Sequence, residues 1–505
     1  MDIYLKIEEL VNYGISKNLI EESDKIFVKN ILFDFLQLKG KCIPPIENNS
    51  PLTATKILDD IFEYATEKNI CDNTITEKDL FTTKIMGVLT PRPSEVIEKF
   101  NRLYSIDKKD ATEYFYNLNK DSNYIMVDRV KQNLEWDYES KYGTLNITIN
   151  VSKPEKDPKD IEKAKAMKSS NYPSCLLCID NIGFKGNLNH PARQNLRIIP
   201  LNLNNENWSM QYSPYVYYNE HCIVFNNNHI PMTGNSSWYK KLIDFVDFLP
   251  HYFIGSNAGI PVVGGSILSH DHFQGGKYDM PMAKASTKAT FTHKDYKDLK
   301  ISIVNWPMSV VRITGENREE ILSFSEYLHK SWSNYSNNEA NILSHTNDTP
   351  HNAITPILRK NIKSEYEMDL VLRNNITTDE YPLGLFHPHS DIHHIKKENI
   401  GLIEVLGLGV LPKRLVEELE EVKSYLLSEE KNLDSFKDNI HYLWTLDLIE
   451  KFGRKNTPSE VEKIINDGVG QKFERCLIDA GVFKDTTEGI KFFKEFLVSM
   501  GLQEI

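Results

Sequence analysis

Long apolar runs are missing from this chain: no stretch is uninterrupted enough to span a bilayer. The opening MDIYLKIEELVNYG carries acidic residues where a secretory leader needs a basic end and an apolar run. A cytoplasmic protein with no membrane partner is therefore expected. Cysteine is scarce. Six cysteines in 505 residues are too few for a disulfide scaffold, and a cytosolic setting favours thiols or metal ligands. Positive charge is in deficit: 59 Lys and Arg against 71 Asp and Glu leave a net charge of -12. With no long basic run to track phosphates, nucleic acid is not an expected partner. Tandem repeats and low-complexity linkers are lacking too. What is present, 40% hydrophobic and 26% charged residues, is a globular composition. The length exceeds what one core usually organises, so two or more structural units are expected.

Apolar residues recur at three and four positions from Met1 to about Asn123, as in DKIFVKNILFDFLQL and ATKILDDIFEYATEKN, which reads as a helical N-terminal region over 1–123. The texture then changes to short alternating runs such as YGTLNITINVS, NLRIIPLNL and HCIVFNN, broken by Gly, Pro and Asn, so an antiparallel sheet unit is expected over 124–290. ISIVNWPMSVVRIT, the helical NREEILSFSEYLHKSWSNY, ITPILRK and YEMDLVLR make a second strand-and-helix unit over 291–400. Segments such as RLVEELEEVKSYLL and IHYLWTLDLIEKF give a helical region over 401–505. The fold class is α+β.

The most informative segment is NAGIPVVGGSILSHDHFQGGKY. In an extended SHDHFQ, a period of two puts His270, His272 and Gln274 on one face, with Asp271 and Phe273 on the other. The flanking glycines Gly264, Gly265, Gly275 and Gly276 would let an anionic group approach backbone amides. A neutral imidazole attacks phosphorus through one ring nitrogen when the other donates a hydrogen bond that fixes its tautomer. A phosphate leaving group, with a second ionisation near pH ~6, needs no proton donor, so the amide of Gln274 suffices beside the nucleophile. This pattern points to exchange between phosphates in preference to hydrolysis. An isolated His pair would be read as satisfied polar residues on a strand; here the alternation with Gln274 and the glycine frame favour chemistry.

GIPVVGGSILSHDHFQGG, together with CLLCIDNIGFKGNLNHPAR, YGTLNITINVSKPEKDP, TPHNAITPILR and FHPHSDIHHIKKENIGLIEVLG, resembles the second class of galactose-1-phosphate uridylyltransferases within the histidine-triad superfamily. The resemblance runs from about Asn123 to Pro412. It implies two histidine-triad-like sheet units, His272 as the nucleophile and Gln274 as the residue stabilising a uridylyl intermediate. It places Asn257 and Ser266 at positions that contact phosphates, and Tyr366 and Glu367 in a segment that contacts the hexose. The implied reaction takes UMP from UDP-glucose onto His272, releases glucose 1-phosphate, and passes UMP to galactose 1-phosphate. No organic cofactor is implied, and the family often assembles as a homodimer.

Cys175 and Cys178 have the spacing of a zinc knuckle, though two cysteines alone also suit small buried residues. The resemblance supplies His229 and His270 as the remaining ligands of a structural zinc. The cluster His387, His389, His393 and His394, with His351, reads as solvated or substrate-contacting imidazoles, and Ala353 stands where a second metal site would need histidine. Lys153, Lys156, Lys159, Arg193 and Arg197 could clamp phosphates, but each reads first as a solvated surface charge. Two other functions stay open at this level: a dinucleoside-tetraphosphate phosphorylase, separable by nucleotide preference, and a noncatalytic nucleotide- or metal-binding protein, separable by turnover.

Overall fold

A computed structural model describes residues 2–41, 53–152, 171–265 and 267–505 of the chain. Its described residues form two compact units, Met1–Gln132 with Ser152–Ile230, and Asn133–Val151 with Pro231–Ile505. Helices and antiparallel sheet occur in both, so the α+β class is borne out.

Among the described residues the first unit opens with six α-helices between Ile3 and Asp121. Ala54–Glu67 shows why: Ile57, Leu58, Ile61 and Phe62 recur at helical spacing and are all buried. Each contributes about 1.5–3 kcal/mol by leaving water. The ends are marked by short polar residues. Thr74 accepts from the Glu77 amide at 3.2 Å, and Asp107 accepts from the Lys109 amide at 2.6 Å. The unit's strands form an antiparallel run, Ile199–Leu203, Glu206–Tyr212 and Cys222–Asn226. Asn204 and Asn205 make the first turn, both at positive φ, 51° and 61°. That is the twist a two-residue hairpin needs, and asparagine tolerates it.

In the second unit eight strands pair antiparallel in the order Leu502–Glu504, Thr287–His293, Lys300–Val304, Val310–Gly315, Tyr366–Asn374, Asn352–Lys360, Phe253–Gly255 and His272–Gly276. Helices Ser237–Phe248 and Arg318–Ser333 pack against this sheet. A separate sheet pairs Leu134–Ser140 antiparallel with Gly143–Ile149, which pairs in parallel with Leu408–Leu411. Helix Pro458–Ala480 lies on it; a Cβ on Gly470 would sit 2.2 Å from Tyr138 Cγ, so only glycine permits that approach. Among the described residues no helix is long and apolar enough to cross a membrane.

Candidate active site

In the second unit the alternation expected of SHDHFQ is present over Asp271–Gln274, while the strand begins at His272 and His270 lies at the bend before it. Phe273 packs edge-on against Trp238, with ring centroids 6.0 Å apart. The Asp271 carboxylate lies 3.9 Å from Lys241 Nζ, and both side chains are buried. Trp238 and Lys241 belong to helix Ser237–Phe248, so the odd-numbered residues face that helix. His272 and Gln274 consequently point to the opposite face of the sheet.

His272 is buried, and its Nδ1 lies 2.8 Å from the backbone carbonyl oxygen of His270. A carbonyl oxygen only accepts, so Nδ1 carries the proton and Nε2 holds the lone pair. Burial, aided by His270, pushes the imidazole pKa down to about 4, partly opposed by that hydrogen bond. The ring is therefore neutral and nucleophilic near pH 7. Gln274 is half-buried two residues on. His270 itself is fully buried.

Asn257 lies two residues beyond strand Phe253–Gly255, which pairs with the nucleophile strand. Its side-chain oxygen accepts from the Leu402 amide at 2.8 Å. A Cβ on Gly265 would lie 2.4 Å from Asn257 Nδ2, and one on Gly264 would lie 2.4 Å from the Ala258 carbonyl oxygen. These two glycines are needed because backbone and Asn257 close tightly on each other, a different use from the anion approach read from sequence. Asn399 donates to the Gly264 carbonyl at 3.4 Å, so 399–402 braces the segment leading to the nucleophile strand. No local signal announced Asn399, Leu402 or Lys241, since each acts through a partner distant in sequence. Ser266 lies outside the described residues, as do Lys153, Lys156 and Lys159.

Tyr366 and Glu367 are not brought to His272. Gln274 is opposite Gly255, Gly255 opposite Ile357, and Ile357 opposite Asp369. Extending that register aligns His272 with Val371, four residues from Glu367 and three strand spacings away. The separation is on the order of 19 Å. Tyr366 donates to Asp247 at 2.5 Å, and the Glu367 carboxylate is paired with Arg359.

In the first unit, Cys175 Sγ and Cys178 Sγ are 3.6 Å apart, and Cys178 Sγ is 3.2 Å from His229 Nδ1. Tetrahedral zinc with Zn–S of ~2.3 Å and Zn–N of ~2.0 Å places its ligand atoms at edges of roughly 3.5–3.8 Å, close to this spacing. Burial and then Cys175 push the Cys178 thiol up to about 11, an effect a divalent cation would reverse. The chain thus carries a Cys/His group that could hold a metal ion.

The histidines of the second cluster make hydrogen bonds within the chain. His351 uses both ring nitrogens, at 2.8 Å from Asn375 Oδ1 and 2.7 Å from Thr346 Oγ1. His387 is buried against Asn399, His393 contacts the Pro388 carbonyl oxygen, and His394 pairs with His441. These imidazoles are engaged within the chain, against a purely solvated reading. Arg197 departs from the surface reading as well: it is buried, donating to the Thr90, Gln194 and Leu196 carbonyls at 3.0, 2.9 and 2.7 Å.

Residues 19–231 match the family model described as galactose-1-phosphate uridyl transferase, N-terminal domain, and residues 245–446 match the corresponding C-terminal domain. The galactose-1-phosphate uridylyltransferase of Caldanaerobacter subterraneus is 49% identical, covering 100% of this chain and 99% of that one. That of Clostridium acetobutylicum is 50% identical over 97% and 99%, and that of Bacillus subtilis 44% over 100% and 99%. A solved structure, the yeast Ap4A phosphorylase Apa2, is similar with a TM-score of 0.32 at 10% identity, covering 65% of this chain and 92% of that one. The full-length relatives and the paired domain matches establish that the chain belongs to the galactose-1-phosphate uridylyltransferase family.

Proposed function

We propose that the chain is a nucleotidyltransferase that moves UMP from UDP-glucose to galactose 1-phosphate through a uridylyl-histidine intermediate at His272. The observation carrying this reading is the hydrogen bond from His272 Nδ1 to the His270 carbonyl, which leaves Nε2 as the nucleophilic atom. Nε2 attacks the α-phosphorus, the bond to glucose 1-phosphate breaks, and that phosphate leaves with its electron pair. An oxygen of galactose 1-phosphate then attacks the same phosphorus, giving UDP-galactose and restoring neutral His272. Gln274, on the same face, donates to the phosphoryl oxygens as charge develops. Asn257 links Leu402 to the glycine segment that leads to the nucleophile strand, and Ser266 is assigned to phosphate contact by resemblance alone.

Cys175, Cys178, His229 and His270 are the residues that would hold a structural zinc. The metal would fix His270, whose carbonyl orients the nucleophile, and takes no part in the transfer.

The test is incubation with UDP-glucose, intact-mass measurement, then addition of galactose 1-phosphate. A UMP adduct mapped to His272 that disappears as UDP-galactose forms is the expected result. Full exchange by His272→Asn would overturn the assignment.

A further inference from the structure

Arg373, near the end of strand Tyr366–Asn374, is 1% exposed and among the largest side chains that are completely buried. Other buried cations of the second unit meet carboxylates, Arg312 that of Asp369 at 2.6 Å and Lys396 that of Glu404 at 3.0 Å. Arg373 meets none among the described residues. One Nη donates to the Ile400 carbonyl at 2.9 Å, the other makes a long contact of 3.5 Å with Thr355 Oγ1, and Nε has no hydrogen-bond partner. Glu404, whose field reaches it, is already engaged by Lys396 and by the Gly401 amide. The imidazole of His387 also faces it and is held neutral chiefly by burial. Burial pulls Arg373 itself down to about 10, so the guanidinium stays charged at pH 7. A cation buried in this way costs stability, and an apolar side chain of similar size is commonly neutral or stabilising in its place. Packing alone therefore does not account for an arginine here.

Strand register says where the charge lies. Gln274, Gly255, Ile357 and Asp369 form one cross-strand row, so Arg373, four residues beyond Asp369, rises from the face that carries Gln274 and His272. Its guanidinium reaches back to Thr355, which the extended register aligns with His272 two strand spacings away, on the order of 10 Å. Segment 399–402 runs over this face: a Cβ on Gly255 would lie 2.8 Å from Leu402 Cδ1. Arg373 holds the Ile400 carbonyl, Asn257 accepts from the Leu402 amide at 2.8 Å, and Asn399 donates to the Gly264 carbonyl at 3.4 Å. We propose that Arg373 is a positioning residue for the uridylyl transfer, seating this segment against Asn257 and the glycines while its unneutralised charge favours the anionic phosphoryl group on His272. The proposal rests on His272 being the nucleophile. A charge acts over such a distance because the protein interior screens it far less than water does.

The test compares full-length wild type, Arg373→Met, Arg373→Lys and His272→Asn in transfer from UDP-glucose to galactose 1-phosphate. Arg373→Met is expected to lower kcat about 100-fold, to change the KM for UDP-glucose less than about threefold, and to melt at or above the wild-type Tm. Arg373→Lys keeps a charge and should recover about tenfold of that loss at pH 7. It should lose the gain again, relative to wild type, by about pH 9.5, because a buried ammonium gives up its proton more readily than a guanidinium. If Arg373→Met does not fold, the pH profile of Arg373→Lys decides alone. A folded Arg373→Met with wild-type kcat, or an Arg373→Lys whose profile follows that of wild type, overturns the inference about Arg373 and leaves the nucleophile standing. Wild type without transfer, or His272→Asn with full transfer, removes the nucleophile and this inference with it.

Discussion

Arg312 and Asp369 face each other on neighbouring strands of the second unit, and the guanidinium Nε donates to the carboxylate Oδ1 at 2.6 Å. Arg359 donates to the other oxygen of the same carboxylate at 2.8 Å. Asp369 is completely buried, and although burial raises its pKa, the two arginines bring it below the ordinary carboxylate value. This carboxylate lies in the same cross-strand row as Ile357, Gly255 and Gln274, so a charged lattice supports the face that presents the proposed site.

Asp369→Asn is expected to destabilise the chain by about 3–5 kcal/mol, because the buried Arg312 guanidinium loses the carboxylate that compensates it. Guanidinium chloride unfolding at pH 7 reads this directly as a lower midpoint. A midpoint equal to wild type would mean that the arginines find other partners.

How much of this was legible beforehand depends on whether the cause was local. The amphipathic helix Ala54–Glu67 and the alternation of His272 and Gln274 against Asp271 and Phe273 follow from side-chain periods, and sequence alone places both. The trio of Arg312, Arg359 and the buried Asp369 brings together residues up to 57 positions apart, and strand register decides it. The same holds for Arg197 and the histidine-rich segment. Composition makes such residues look solvated, whereas carbonyls and imidazoles from distant loops enclose them. Gly264 and Gly265 were recognised as necessary but for another reason, because the proximity of Asn257 cannot be read from spacing.

Cys175→Ser is expected to lower metal content and Tm together, since one soft ligand of the cysteine and histidine group is lost. Metal analysis of the purified chain, followed by thermal melts with and without a chelator, tests this. A chelator that leaves the melt of the native chain unchanged would remove the structural role assigned to the metal.

Acid should weaken the second unit through His394 and His441, whose Nδ1 atoms are 2.8 Å apart. Burial is the main cause that lowers both, His394 to about 3, with nearby His441, Lys472 and Arg414 adding to the effect there. Between the unfolded value near 6.5 and the folded value near 3, the unfolded chain binds more protons. Stability therefore rises with pH across this window and is lost as pH falls. Denaturant unfolding at pH 7, 6 and 5 should show a steeper decline in the native chain than in His394→Asn. Parallel declines would place the acid sensitivity elsewhere.

Strand Gly143–Ile149 pairs in parallel with Leu408–Leu411, a partner that the ribosome supplies roughly 260 residues later. At about 5–20 residues per second, that strand waits between about 13 and about 50 s for its second neighbour. During this interval Leu145, Ile147 and Ile149, all buried in the finished fold, lack the cover that Leu408–Leu411 and helix Pro458–Ala480 later provide. An open apolar edge invites pairing with the same edge on a nascent neighbour. The order of synthesis thus makes the middle of translation the period of greatest aggregation risk, and codon-driven pauses between these two strands would lengthen it.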